Sequence, residues 1–382
     1  MKASGWMRFR VLLRAAWARF MRARGKSYPP GELHPAGVFM QPSDLGEVRS
    51  QAAPMRLARS KHHAMDARVW QQGARDKLTE LLAIEQDDIS WQSNWTREVQ
   101  GMVSQRVYLH RRDGLDIPIT IVEDPARQQA GPPLVVMLGT FSAVHLALGE
   151  ARLPYDVIRL ENGADIGLQA AREGYTAICV ELASLGERRE RRYAGGSNTG
   201  TAAEAALLFG HCLLGDRVSD LMAVVDWWSA FCSRAQRPHS HPWVLGHSAG
   251  GTVALFGAAV DTRIQGCVAS GCVGYMRETL LKRRNDSGQN TVPGILNWME
   301  LDDVAALIAP RPLLAVSGHA DHIWPYAGCK AVVDAASTLW QALDAEGHIQ
   351  ASAADGEHRF HPHPTWSALR KLTRACESAA HA

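Results

Sequence analysis

Residues 246–251 read Gly-His-Ser-Ala-Gly-Gly, a serine between two glycines in the spacing G-x-S-x-G. An apolar run ending in Val244-Leu245 leads in, and Thr252-Val253-Ala254-Leu255-Phe256 leads out as a helical sequence. A strand, a sharp turn and a helix in that order make a nucleophile elbow. The turn brings strand and helix so close that Gly246 and Gly250 must lack side chains, and it lifts the Ser248 hydroxyl above the sheet. The helix start then aims backbone N–H groups at the place where negative charge develops during acyl transfer.

A serine hydroxyl alone is a weak nucleophile, so a base and an orienting acid are required, in the chain order serine, carboxylate, histidine. Both follow. The apolar run Leu313–Val316 leads into Asp321, ahead of Pro325. The run Ile349–Ser352 leads into Gly356-Glu357-His358, and His358 is the first histidine after that last strand. His361 and His363 are rivals, and with His358 they spell H-x-x-H-x-H, a spacing that raises metal binding. Each of the two precedes a proline, which holds it extended. No Asp, Glu or Cys partners stand at metal-ligand spacing. The reading is Ser248 as nucleophile, Asp321 as orienting acid and His358 as general base, with no metal and no cofactor. The oxyanion donors are read as the backbone N–H groups of Ala249 and Thr140. Thr140 lies in the loop Leu138-Gly139-Thr140-Phe141 after the run Leu134–Leu138, and Phe141 is the alternative donor there.

These residues need a scaffold, and the apolar runs provide one. Val103–Leu109 and Ile117–Val122 flank Arg112-Asp113-Gly114, which predicts an antiparallel hairpin. Short runs then alternate with helices: Leu134–Leu138, Ala177–Val180, Trp243–Leu245, Gln265–Ala269, Leu313–Val316 and Ile349–Ser352. The helices fall before Gly174 and at about 217–232, 249–259 and 326–343. Another at about 66–84 precedes the hairpin, with Val69, Leu78, Leu81, Leu82 and Ile84 as its apolar positions. Runs this short, separated by helices, predict an α/β fold: a mostly parallel central sheet with helices on both faces and an antiparallel N-terminal hairpin. The long connections 183–215 and 272–308 fall at strand C-terminal ends, where pockets are built. They contain Tyr193, Tyr275 and Trp298, read either as a pocket wall or as core.

Composition sets the remaining bounds. Over 382 residues, 46% are hydrophobic and 21% charged, the balance of a globular protein with ample core. The formal charge of +2 is unevenly spread. Residues 1–26 hold eight basic side chains and no acid, which leaves the rest at 33 basic against 39 acidic, about −6. Nothing there resembles a nucleic-acid footprint. Trp6, Phe9, Leu13, Trp17 and Phe20 fall on one helical stripe. Residues 1–26 therefore read as a basic amphipathic helix that either touches a membrane surface or docks on protein, its own domain or another subunit. Residues 27–64 read as a linker or arm, and 65–382 as the catalytic domain. Seven scattered cysteines without a C-x-x-C pair read as buried free thiols. No apolar run is long enough to span a membrane, and Val11-Leu12-Leu13 is too short for a secretory core. The expected location is cytoplasmic, with peripheral membrane contact left open.

Three stretches resemble the acetyl xylan esterase and dienelactone hydrolase-like branch of the α/β-hydrolase superfamily. They are Gly-His-Ser-Ala-Gly-Gly, Ala309-Pro310-Arg311-Pro312-Leu313-Leu314 leading to Asp321, and Gly356-Glu357-His358-Arg359-Phe360. Leu185-Gly186-Glu187-Arg188 is similar to a Gly-Glu-Arg stretch after the fourth strand in those relatives. The likeness covers roughly residues 66–378. It departs at Leu138-Gly139, where relatives usually carry His-Gly. The resemblance implies the α/β-hydrolase fold and hydrolysis of a small-molecule carboxylic ester, an acetyl or other short acyl ester or a lactone. A peptidase, thioesterase or acyltransferase with the same three residues is the alternative chemistry. A non-catalytic binding protein on this fold is the alternative of another kind.

Overall fold

The apolar runs become the centre of a nine-stranded sheet. The computed structural model describes Leu13 and residues 42–85, 88–112, 114–127, 131–139, 143–189, 199–281 and 288–380. Its strands are β1 (Ser90–Val99), β2 (Met102–His110), β3 (Asp116–Glu123), β4 (Pro133–Leu138), β5 (Thr176–Glu181), β6 (Trp243–His247), β7 (Gly266–Ser270), β8 (Leu313–Gly318) and β9 (Ile349–Ala354). They lie in the order β1-β2-β3-β5-β4-β6-β7-β8-β9. Strands β1 to β3 are antiparallel to one another, β3 is antiparallel to β5, and every pair from β5 to β9 is parallel.

β4 and β5 are buried along their whole length, as strands covered on both faces must be. Alternation divides their side chains between two cores. Val135, Met137, Ile178 and Val180 point to one, beneath helices Ala67–Leu82, Leu213–Arg234, Ala249–Val260 and Tyr326–Gln341. Leu134, Val136, Leu138 and Cys179 point to the other, beneath helices Ile166–Arg172 and Pro362–Ala380. The six described free cysteines are all buried. Burial pushes the thiols of Cys179 and Cys329 up to about 12.

One expectation is corrected and another extended. The helix Ala67–Leu82 buries Trp70, Ala74, Leu78 and Leu82, whereas Val69 is mostly exposed. The i, i+4 row through Trp70 faces the core, and Val69 lies off it. The predicted hairpin is present as β2–β3, but a further strand, β1, precedes it. Its sequence, Ser-Trp-Gln-Ser-Asn-Trp-Thr-Arg-Glu-Val, is mostly polar because β1 is the sheet's edge and faces water.

The segment read as an arm contains a helix, Pro42–Gln51. Beyond it, the N–H groups of Arg56 and Leu57 donate to the carbonyls of Asn297 and Trp298, and that of Arg59 to Asp303 Oδ1 at 2.7 Å. Trp298 is stacked beneath Arg56 and Lys77 and packs on the core. Tyr275 also packs on that core and lines a cavity with Glu300, Asp302 and Asp303. Tyr193 and the basic helix of 1–26, Leu13 apart, lie outside the described residues. Among the described residues, no helix is long and apolar enough to cross a membrane.

Candidate active site

Ser248 sits between β6 and the helix Ala249–Val260 with φ 57° and ψ −124°. A side chain in that backbone region is strained, and the surroundings hold it there. The Ser248 N–H donates to the Ser270 carbonyl at 2.8 Å, and its carbonyl accepts from Thr252 N–H at 3.0 Å. The flanking glycines are required by contact. A Cβ on Gly246 would lie 2.2 Å from Gly250 backbone atoms, and one on Gly250 would lie 2.1 Å from the Met137 carbonyl. The N–H of Ala249 is the first of its helix and so has no acceptor within it. Ala249 stands at that helix start, whereas Thr140 and Phe141 lie outside the described residues.

Asp321 and His358 come from loops that follow adjacent strands, β8 and β9. Those loops are tied together: His319 N–H donates to the Ala354 carbonyl at 2.9 Å and Ala320 N–H to the Gly356 carbonyl at 3.0 Å. Asp321 Oδ1 accepts from the N–H groups of Ile323 and Trp324, both at 2.8 Å. Its Oδ2 lies 2.8 Å from His358 Nδ1, and His358 Nε2 lies 3.0 Å from Ser248 Oγ. The three predicted residues therefore form one hydrogen-bonded line. Burial by itself would raise the Asp321 carboxyl, but the hydrogen bond and charge of His358, with the Trp324 and Ile323 N–H groups, hold it below the usual range.

The rival histidines are elsewhere. His361 is buried, with Nε2 3.1 Å from the Glu357 carbonyl, and His363 is exposed at the start of the last helix. Among the described residues, no group of three or more His, Cys, Asp or Glu gathers at metal-binding geometry.

His247, read from sequence as a surface or packing residue, packs against the general-base candidate. Its ring centroid lies 4.9 Å from that of His358, and its Nδ1 lies 3.2 Å from Ser270 Oγ. Burial, then the charge of His358, pushes its imidazole down to about 3 from an ordinary 6.5. Between these values the unfolded chain binds a proton that the folded protein refuses. Stability is therefore lost as pH falls from about 6.5 toward 3, by at most about 1.4 kcal/mol per pH unit from this group. His247→Gln is expected to flatten that stretch, read as the difference in urea-unfolding free energy between pH 5 and pH 7. Equal differences in the two proteins would show that His247 is not held neutral.

Sequence reasoning missed a second polar centre. Glu181, at the end of β5, pairs with Arg106 of β2 at 2.6 Å, and both are buried. Glu181 Oε1 also accepts from the N–H of Val144, in the segment after β4, at 3.2 Å. Glu187 takes a second Arg106 hydrogen bond and the Tyr108 hydroxyl at 2.9 Å. The Gly186-Glu187-Arg188 stretch was the only signal pointing here.

The fold matches solved structures over most of the chain. A protein of Bacteroides fragilis NCTC 9343, provisionally named an acetyl xylan esterase, superposes with a TM-score of 0.69 at 15% identity, covering 91% of this chain and 97% of its own. A glucuronoyl esterase of Solibacter usitatus gives 0.61 at 14% identity, covering 81% and 94%. This chain has the α/β-hydrolase fold. In sequence it is 27% identical over 158 residues to a Bacillus subtilis (strain 168) protein provisionally named the hydrolase YtaP. The match takes in 41% of this chain and spans about half the length of that relative. No family model matches.

Proposed function

We propose that this α/β-hydrolase-fold chain is a serine hydrolase that cleaves a carboxylic ester, a short acyl ester or lactone, through an acyl-enzyme on Ser248. One observation carries the reading: the unbroken line from Asp321 through His358 to Ser248 Oγ, with the serine at the start of a helix. His358 Nε2 takes the Ser248 proton as Oγ attacks the ester carbonyl, and returns it to the leaving alcohol oxygen. Asp321 fixes the tautomer that leaves Nε2 free to accept, and stabilises the imidazolium. The Ala249 N–H faces the developing oxyanion, and Thr140 is the proposed second donor. Water, activated by the same His358, then releases the acid. The esterase names of the structural neighbours agree with this chemistry.

A fluorophosphonate probe tests the reading together with a p-nitrophenyl ester series from acetyl to decanoyl. Covalent labelling that maps to Ser248, with fastest turnover at the short acyl end, is the expected result. A folded protein that takes no label would overturn it. Acyl transfer to an added alcohol outcompeting water would make the chain an acyltransferase instead.

A further inference from the structure

Strands β6 and β7 end level, with His247 paired to Ser270. The residue after each turns sharply, Ser248 with φ 57° and Gly271 with φ 59°. Both kinked residues stay tied to the next strand. Ser248 N–H donates to the Ser270 carbonyl and Gly271 N–H to the Val316 carbonyl, each at 2.8 Å. The backbone under the His247 imidazole is therefore fixed on both sides. The ring itself is held through Nδ1, 3.2 Å from the Oγ of the fully buried Ser270.

Gly271 leaves the space that two rings share. A Cβ there would lie 2.7 Å from His247 Cε1, 3.0 Å from His247 Nδ1 and 3.3 Å from His358 Cε1. A side chain at this position would thus push the rings away. With glycine in place, His358 lies against the His247 ring, tilted by 37° with centroids 4.9 Å apart. Phe360, two residues beyond His358, meets the same His247 ring at 71° with centroids 6.4 Å apart. The loop after β9 is packed on His247 at two points.

This packing meets a need that the hydrogen bonds leave open. An imidazole held only by Asp321 at Nδ1 can still swing about that bond, which would carry Nε2 away from Ser248 Oγ. A ring packed against it blocks the swing. His247 precedes Ser248 in the chain, so one stretch of backbone sets both the nucleophile and the support of its base. Charge suits the role as well. The His247 imidazole, pushed down to about 3, is neutral when His358 becomes an imidazolium, so no like charge opposes proton transfer.

From this arrangement we infer that His247 is a positioning residue whose ring, seated beside Gly271, holds the His358 imidazole in line with Ser248 Oγ. The inference rests on the serine-esterase reading of Ser248. Two substitutions separate the ring from its hydrogen bond. His247→Phe keeps a ring and loses the contact to Ser270 Oγ, whereas His247→Gln keeps a polar group and loses the ring. Turnover of p-nitrophenyl acetate is measured on protein whose thermal midpoint shows it folded, beside the rate of fluorophosphonate labelling. His358 serves acylation and deacylation alike, so a misplaced base slows both and lowers kcat with KM little changed. A displacement of about 1 Å costs about 10²-fold, the loss expected in kcat and in labelling rate for His247→Gln. His247→Phe should stay within about tenfold of wild type, whatever stability it loses at Ser270. A merely structural role would leave kcat of both folded variants unchanged. His247→Gln with the wild-type kcat, or His247→Phe as slow as His247→Gln, overturns the positioning role. A wild type that takes no label overturns the esterase reading and the role with it. A labelled wild type whose variants turn over alike overturns the role alone.

Discussion

Ser248→Ala is expected to lower kcat on the order of 10⁶-fold, because the nucleophile of such a constellation has no substitute. The fold should survive. Alanine keeps the Cβ that already tolerates φ 57°, and the backbone bonds to Ser270 and Thr252 do not involve the hydroxyl. Turnover of p-nitrophenyl acetate and the thermal midpoint, measured on the same preparation, check both halves. A variant retaining more than about a hundredth of the wild-type rate would remove Ser248 from the chemistry.

His358→Ala should be as damaging, since groups that act as a unit fail as a unit. The neighbouring histidines separate chemistry from support. His363 is exposed, and His363→Ala is expected to behave as wild type in rate and stability. His361→Ala should keep its kcat within about tenfold yet lose about 1–3 kcal/mol of stability, since a buried polar contact to the Glu357 carbonyl disappears. Activity in all but the His358 variant should withstand EDTA. Strong chelator sensitivity, or a His361→Ala variant as inactive as His358→Ala, would reassign the base.

The candidate triad was legible because its signals are local. An apolar strand, a tight turn and a helix start can each be read within ten residues, and β6 with Ser248 or β8 with Asp321 needs nothing more. The parallel core was legible for the same reason, since strands buried on both faces are apolar throughout. What escaped depends on partners far along the chain. Arg106 and Glu181 stand 75 residues apart in sequence, and only the pairing of β3 with β5 brings them together. β1 hid because an edge strand carries polar side chains, and its bulge destroys the alternation that would have revealed it. His247 stood within the motif itself. Its closeness to His358 is set by how the loop after β9 returns over the sheet.

The same bulge bears on how the molecule behaves in a crowd. β1 is one of the two strands with an open side, and a flat, regular edge is a template on which another chain can extend the sheet. Between Ser93 and Thr96 the ladder loses its spacing, and Arg97 and Glu98 place opposite charges just beyond the break. An incoming strand would find matching register on only one half of the edge at a time. Deleting Asn94 would restore a continuous ten-residue-scale template, and with it the aggregation that an interrupted edge resists.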